Sequence, residues 1–294
     1  MIRRIQALNY RSLRSIDQTL GEFHVLVGPN ASGKSTFLDV ISFLGDFVSG
    51  GLDYAIDKKR SKNFKDLFWG RTGDRFELAV EAVVPDEHRA TLIRPELETI
   101  RYQVAIGPDE QSGELCMLAE WLLLKPMQDR SSAPDADSGA RSTLFGDLKD
   151  WPGSHLIAAL DRTTGEWSLT LENPSRFPDR HSWSYYHAPR NAKTSVFNLL
   201  RGDDQYPVSM WLGNVLREGI RRIELQSQPL RQASPVARTR PFWRRTDRTC
   251  PGSLRSFKSK AQRVLRIGWR ICVRRSPTSK GSVSGTVPTG TNAT

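Results

Sequence analysis

The stretch Gly28-Pro29-Asn30-Ala31-Ser32-Gly33-Lys34-Ser35, followed by Thr36, decides the fold. It fits the pattern G-x-x-x-x-G-K-[ST]. Glycines in this pattern permit positive φ values and a close backbone approach, so that main-chain N–H groups turn inward and form an anion nest. Lys34 adds a point charge for phosphate oxygens, and Ser35 offers a hydroxyl to Mg²⁺. The stretch predicts a nucleotide phosphate loop, with a chance match as the alternative.

The sequence on both sides of the loop favours the phosphate-loop interpretation. Residues 23–27 (Phe-His-Val-Leu-Val) form a short apolar run, which predicts a buried strand leading into the loop. Residues 35–47 carry apolar side chains at helical spacing, which predicts an amphipathic helix closed by Gly50-Gly51. The positive end of this helix would point at the phosphates.

The rest of the chain has mostly strand patterns. We predict strands over residues 2–8, 75–84, 99–106, 114–124, 155–160, 167–171 and 222–226. Residues 10–19 are predicted to be a polar connection with a short strand, residues 128–139 a mobile loop, and residues 206–220 an amphipathic helix. The layout predicts an α/β fold with an antiparallel, β-rich insert over about residues 52–190.

A family resemblance is carried by two segments. Asn9-Tyr10-Arg11-Ser12-Leu13 and residues 25–36 together resemble the start of AAA-type ATPases of the RecF/SMC/OLD branch, which have ABC-like P-loop heads. Residues 223–235 resemble the middle of bacterial members more weakly. The resemblance implies the N-terminal part of such a head, and pairing of two heads around two nucleotides. Many members of the branch act in DNA repair, recombination or phage defence.

The resemblance also implies the ligands and the residues that bind them. The ligands are ATP and Mg²⁺, with Ser35 as the metal ligand. Arg11 lies where members of the branch often place a residue near the nucleotide. The residues implied for nucleotide binding are Gly28, Pro29, Asn30, Ala31, Ser32, Gly33, Lys34, Ser35, Thr36 and Arg11.

The second half of a hydrolytic site is not identified in the sequence. Hydrolysis in the branch needs a signature segment, a strand ending in Asp-Glu and a switch His. Asp161 ends an apolar run, but Arg162 follows it and the segment 161–165 is a hairpin signal, so we interpret Asp161 as a turn residue. Catalytic residues are therefore left unassigned, and little turnover is expected. No role follows from the sequence for Gln103, His181, His187, Asp203 or Asp204.

The basic charge of the chain is concentrated at its C-terminal end. The chain carries 43 Lys and Arg against 32 Asp and Glu, a net charge of +11. Residues 236–294 hold 14 of the basic residues and one acidic residue, which leaves residues 1–235 with a net charge of −2. This shift predicts a boundary near Pro235 between an ATPase portion, residues 1–235, and a basic, poorly packed tail, residues 236–294.

Three explanations of the tail remain open. Aromatic residues among arginines could stack on bases while the arginines neutralise phosphates, which would make the chain a nucleic-acid-binding protein with DNA as a possible partner. A tail without selected function is the second explanation. A change of reading frame is the third: with suitable codons, residues 245–252 read in a shifted frame give D-G-S-N-L-P-W, a string typical of this ATPase branch. A nucleotide-binding remnant without hydrolysis is a further functional alternative.

Composition also indicates the cellular compartment of the protein. No apolar run approaches the roughly 18 residues needed to cross a bilayer, and the first residues lack the apolar core of a signal peptide. Three cysteines in 294 residues do not suggest a disulfide framework. We therefore predict a cytoplasmic protein without a membrane partner.

Overall fold

The computed structural model describes residues 1–58, 63–127, 143–146, 151–161, 166–177, 183–187, 192–200 and 204–220. Within these residues, eight strands form one antiparallel sheet in the order β2-β1-β3-β4-β5-β6-β7-β8. The strands are β1 (Ile2–Tyr10), β2 (Leu13–Thr19), β3 (Phe76–Val83), β4 (Thr99–Pro108), β5 (Leu115–Lys125), β6 (His155–Asp161), β7 (Glu166–Thr170) and β8 (Trp183–His187).

The α-helices of the described part are few and lie between or after the strands. They are α1 (Lys34–Asp57), α2 (Asp86–Arg89) and α3 (Pro207–Asn214), and a π-helical turn, Val215–Gly219, continues α3. The predicted α/β class with an antiparallel insert is confirmed. The predicted helix over residues 206–220 corresponds to α3 and this turn.

Side-chain alternation places the two faces of the sheet in different surroundings. On β4, Ile100, Tyr102 and Val104 face the main core, while Arg101 and Gln103 lie on the opposite face. The predicted strands over residues 2–8, 75–84, 99–106, 114–124, 155–160 and 167–171 are all confirmed. β2 is longer than the short strand predicted within residues 10–19, because its backbone pairs with β1 from Leu13 to Thr19.

Helix α1 covers the core face of the sheet. Its apolar side, which includes Phe43, Phe47 and Val48, is fully buried. Phe43 packs edge-on against Tyr10 of β1 and Phe76 of β3, with ring centroids 5.7 and 5.6 Å apart respectively. The helix therefore gains its stability from the sheet, as expected of an amphipathic helix.

Gly51 breaks α1 without ending it. The sequence predicts closure at Gly50-Gly51, but the helical chain continues to Asp57 beyond a non-helical residue at Gly51 (φ 81°). The amide of Leu52 donates to the carbonyl of Lys193 at 2.7 Å, and a Cβ at Gly51 would lie 2.8 Å from that carbonyl oxygen. Glycine is needed here because the left-handed φ and the close approach both exclude a side chain.

A charged cluster lies on the opposite face of the sheet. Glu81 accepts from Arg101 at 2.8 Å and from Lys125 at 3.0 Å, and all three side chains are almost completely buried. Burial opposes the ionisation of Glu81, but the neighbouring cations outweigh it and lower the pKa of the carboxyl. Trp151 stacks against both cations, 4.8 and 4.9 Å from its ring centroid. The cluster joins β3, β4 and β5.

Two other buried carboxyls connect the sheet to the segments that follow it. Glu120 on β5 accepts from Ser195 at 2.5 Å, from Tyr102 at 2.6 Å and from the amide of Val196 at 3.0 Å. Glu172 caps α3 from a distance, because it accepts from the amides of the second and third helical residues and from a hydroxyl. Burial raises the pKa of each carboxyl to about 7, against the lowering effect of these hydrogen bonds.

The prediction of a buried strand over residues 23–27 is wrong. The segment forms no strand, and its apolar side chains face solvent: Val27 is 88% exposed, Val25 60% and Phe23 59%. A buried strand needs neighbours that pair with its backbone and cover its side chains. Among the described residues no strand pairs with this segment.

Three further predictions fall on residues that the structure does not describe. They are the loop over residues 128–139, the strand over residues 222–226 and the basic tail over residues 236–294. The boundary near Pro235 also lies there and stays a prediction.

We expect the stability of the full chain to fall as the pH rises from about 5 to about 7. Glu120 and Glu172 ionise near pH 7 when folded, against an ordinary value of 4.5. Their stabilising contribution is therefore complete below the unfolded pKa and is lost as the pH rises through the folded pKa. Each carboxyl should lower the free energy of unfolding by up to about 1.4 kcal/mol per pH unit in this window, measured by urea denaturation.

Glu120→Gln should remove its share of this pH dependence. Glu110→Gln is the matched control, because Glu110 is exposed in the turn after β4. An unchanged slope in Glu120→Gln would show that Glu120 is already ionised in the folded protein near pH 5.

Candidate functional site

The phosphate loop ends at the first residue of α1. Gly33 is the N-cap residue and has a left-handed φ of 87°, and Lys34 begins the helix. The carbonyl of Gly33 accepts from the amide of Phe37 at 2.8 Å. A Cβ at Gly33 would lie 3.1 Å from a methyl group of Leu13, so both the backbone conformation and the available space require glycine.

The ammonium group of Lys34 lies within the curve of the loop. Its Nζ donates to the carbonyls of Gly28 at 2.8 Å and Pro29 at 2.6 Å, and to Oγ of Ser32 at 3.2 Å. A Cβ at Gly28 would lie 2.9 Å from that same Oγ. The loop is therefore tightly wound around the lysine, with Ala31 also left-handed at φ 65°.

The local electrostatics of the loop favour an anion. The first turn of α1 contains no acidic residue and has unsatisfied N–H groups, so its positive end is not neutralised by its own side chains. Residues 28–32 and Ser35 are exposed. A cation, a helix N-terminus and accessible backbone donors thus meet at one surface.

The turn that carries the Asn-Tyr-Arg-Ser sequence packs beside this loop. Oγ of Ser12 donates to Oγ1 of Thr36 at 2.8 Å, and Leu13 lies against Gly33. Nη1 of Arg11 donates to Asp39 on α1 at 3.0 Å. The structure therefore brings Arg11 to α1 within one helical turn of Ser35.

Other predicted or rejected site residues lie elsewhere. Asp161 is the last residue of β6, where its backbone pairs with Glu166 of β7, and the connection over residues 162–165 lies outside the described residues, so its interpretation as a turn residue stays a prediction. Gln103 accepts from Arg101 on the face of the sheet opposite the core. His187 ends β8, 3.6 Å from Glu166. Asp204 is exposed, and Arg162, His181 and Asp203 are not among the described residues.

An Asp-Glu pair follows a strand at two places, Asp86-Glu87 after β3 and Asp109-Glu110 after β4. In each pair the aspartate contacts residues that are close to it in the sequence. Asp86 and Glu87 begin α2, with side chains 97% and 78% exposed, and Asp86 contacts Arg89. Asp109 accepts from the backbone amides of the next turn, as in an Asx turn. Over the described ranges, no group of three His, Cys, Asp or Glu side chains could hold a metal ion.

Sequence reasoning missed two residues beside the loop. Tyr10 and Asp39 share a hydrogen bond of 2.7 Å, and the same carboxylate oxygen receives Arg11. Asp39 comes four residues after Ser35, which places it on the same side of α1 one turn further on. That spacing was the signal that could have identified it.

A comparison with protein families matches residues 23–201 to the family described as "AAA domain, putative AbiEii toxin, Type IV TA system". The chain belongs to this family. The match of this AAA domain begins at the segment before the phosphate loop and extends through the antiparallel insert. The resemblance to the AAA family is thereby confirmed.

The AAA domain is also similar to solved structures of SMC heads. One comes from a study of ATP-driven dimerization and DNA stimulated activation of SMC ATPases, with 20% identity, a TM-score of 0.31 and coverage of 41% of this chain and 68% of that one. Another is the Smc head bound to the C-winged helix domain of ScpA, with 19% identity, a TM-score of 0.30 and coverage of 41% and 35%. A search of curated proteins found no match.

A bilayer-spanning helix is not found in the described part of the AAA domain. None of its helices there is both long enough and apolar enough to cross a membrane.

The exposure of residues 23–27 gives a direct test. Val27→Thr should change the free energy of unfolding by less than about 0.5 kcal/mol, because Val27 is 88% exposed. The matched control Val80→Thr should cost about 2 kcal/mol, because Val80 is fully buried and the new hydroxyl would enter the core. Urea denaturation measures both. A comparable loss in the two variants would contradict the exposed position of Val27.

Proposed function

We propose that this AAA domain binds ATP at the loop formed by residues 28–36. The observation that carries the proposal is the junction at Gly33-Lys34, where a left-handed glycine lets the loop run directly into the N-terminus of a 24-residue helix. That arrangement directs backbone N–H groups, a helix dipole and a lysine toward one anion. Membership of the AAA family supports a nucleoside triphosphate as that anion.

Each residue of the loop has a distinct part in the proposed site. Backbone amides from Asn30 to Lys34 would hold the β-phosphate, and Lys34 would turn its ammonium group from the loop carbonyls to the β- and γ-phosphates. Arg11 would add a second cation beside the loop. Gly28 and Gly33 would keep the backbone free of side chains at the places where the phosphates approach it.

The described residues offer one side chain suited to Mg²⁺ at this site, that of Ser35. Ser35 is exposed, belongs to the first turn of α1 and offers a hydroxyl, which suits a hard cation that keeps water and phosphate oxygens as its other ligands. Bound there, Mg²⁺ would neutralise charge on the phosphates. We expect little hydrolysis, because no strand ending in an Asp-Glu pair suited to this site was assigned.

The proposal extends to self-association of the chain. We propose that two copies pair through their nucleotide faces, as the family resemblance implies, because the loop from Gly28 to Ser32 is exposed and open to a second molecule. Light scattering with and without ATP should show a nucleotide-dependent dimer, and an unchanged mass would exclude it.

The low cysteine content supports a cytoplasmic location.

Lys34→Ala tests the nucleotide site. We expect the variant to lose at least tenfold in ATP affinity, because it removes the cation that contacts the phosphates. Equilibrium dialysis with labelled ATP and Mg²⁺ measures the affinity of the full chain. Lys65→Ala, an equal change at an exposed lysine, serves as control. Equal affinity in wild type and Lys34→Ala would refute the site.

A further inference from the structure

The turn Asn9–Leu13 and the second turn of α1 meet at a single carboxylate oxygen. Oδ2 of Asp39 accepts from the hydroxyl of Tyr10 at 2.7 Å and from Nη1 of Arg11 at 3.0 Å. The Asp39 side chain is only 14% exposed, and Tyr10 is fully buried. A carboxylate held by a buried hydroxyl has little freedom to move, so its second contact, to Arg11, is fixed in direction.

Contacts hold the backbone of this turn in a strained conformation around Arg11. Arg11 has φ 52°, a region that costs most non-glycine residues on the order of 1 kcal/mol or more, and Asn9, a residue type that adopts this region more readily, has φ 54°. The amide of Arg11 donates to the carbonyl of Leu67 at 2.8 Å, and Ser12 contacts Thr36. Contacts on both sides of Arg11 therefore maintain a conformation that the sequence alone would not favour. Strain of this kind is often found at functional sites.

The position of Arg11 explains what such strain could serve. Ser12 and Leu13, its neighbours along the chain, touch Thr36 and Gly33, which lie on either side of Lys34-Ser35. The Arg11 side chain is 33% exposed, so part of it faces solvent. A guanidinium carries five N–H donors in a planar fork, so one group can donate to a carboxylate and to phosphate oxygens at the same time.

We propose that Asp39 is a positioning residue that aims Arg11 at the phosphates of the bound nucleotide. The proposal rests on the proposed function, since it assigns a second cation to that same site. Asp39 contacts no phosphate in this arrangement. It acts through Arg11, and Tyr10 couples it to the aromatic contacts between α1 and the sheet. The simpler alternative is that Asp39 only neutralises Arg11 or only stabilises the fold.

The two roles predict opposite effects of neutralising Asp39. If Asp39 positions Arg11, Asp39→Asn should weaken ATP binding about tenfold, because the guanidinium loses its charged anchor. If Asp39 only neutralises Arg11, Asp39→Asn should tighten ATP binding, because the positive charge near the loop would increase. Adenosine, which has no phosphate, should bind the variant and the wild type equally well in either case.

The experiment is ATP and adenosine binding by the full chain with Mg²⁺, measured by isothermal titration. We expect Asp39→Asn and Arg11→Ala each to lose about tenfold for ATP, and the double variant to lose hardly more than either, because the residues act as one unit. Asp39→Glu should restore part of the affinity. Asp53→Asn makes the same charge change on the same helix, beside Lys193, and should have no effect.

The binding results distinguish failure of the positioning role of Asp39 from failure of the proposed nucleotide site. Undiminished ATP affinity in Asp39→Asn, or additive losses in the double variant, would overturn the positioning role while the Lys34→Ala result leaves the nucleotide site intact. No loss in Lys34→Ala would refute the proposed function itself. Should Asp39→Asn fail to fold, Tyr10→Phe removes one hydrogen bond and keeps the ring, and a threefold weaker ATP affinity without change for adenosine is then the expected result.

Discussion

The packing of α1 on the antiparallel sheet is the contact on which the phosphate loop depends. Phe43 meets Tyr10 and Phe76, so the helix is fixed to β1 and β3 at one point by three aromatic rings. Because the loop ends where α1 begins, fixing the helix fixes the position of the helix N-terminus. The turn Asn9–Leu13 continues directly from β1, so the same packing also places Arg11 and Ser12. Core and site are thus built from one set of contacts.

The other end of the loop has no such support within the described residues. The segment 23–27 carries three strongly exposed apolar side chains, and its backbone is not paired with any strand of the sheet. A chain that enters the loop without a fixed strand leaves the first loop residues, Gly28 to Ser32, held mainly by Lys34 and by a local hydrogen bond from Ser32 to Pro29.

Sequence patterns predicted most strands of the antiparallel sheet, although not β8, because these strands carry their own apolar or alternating pattern and many pair with a neighbour close in the chain. The hairpins β3–β4, β4–β5 and β6–β7 are of this kind. The segment 23–27 has the composition of a buried strand, but whether a strand forms depends on partners that the segment itself does not contain. The phosphate loop was predictable because its chemistry is local to nine residues.

The missed residues share a different physical reason. Glu120 and Glu172 lie in the core because residues 18 to 76 positions away donate hydrogen bonds to them, and no local sequence pattern indicates those partners. Tyr10 and Asp39 are likewise separated by 29 positions, and the left-handed residues Asn9 and Arg11 are not glycines. Polar residues of this kind become understandable only when the fold has brought their partners together.

Charge at the loop is set locally and not by the chain as a whole. Residues 1–235 have a net charge of −2, so the body of the domain gives no general attraction for an anion. The positive potential at the loop comes from Lys34, from the N-terminus of α1 and from Arg11, and it falls off within about 10 Å at moderate ionic strength. The first acidic residue of α1 is Asp39, and Arg11 contacts it. With an acidic residue in the first turn, α1 would lose much of this attraction for phosphate, so placing the first acid one turn later preserves the site while supplying a partner for the second cation.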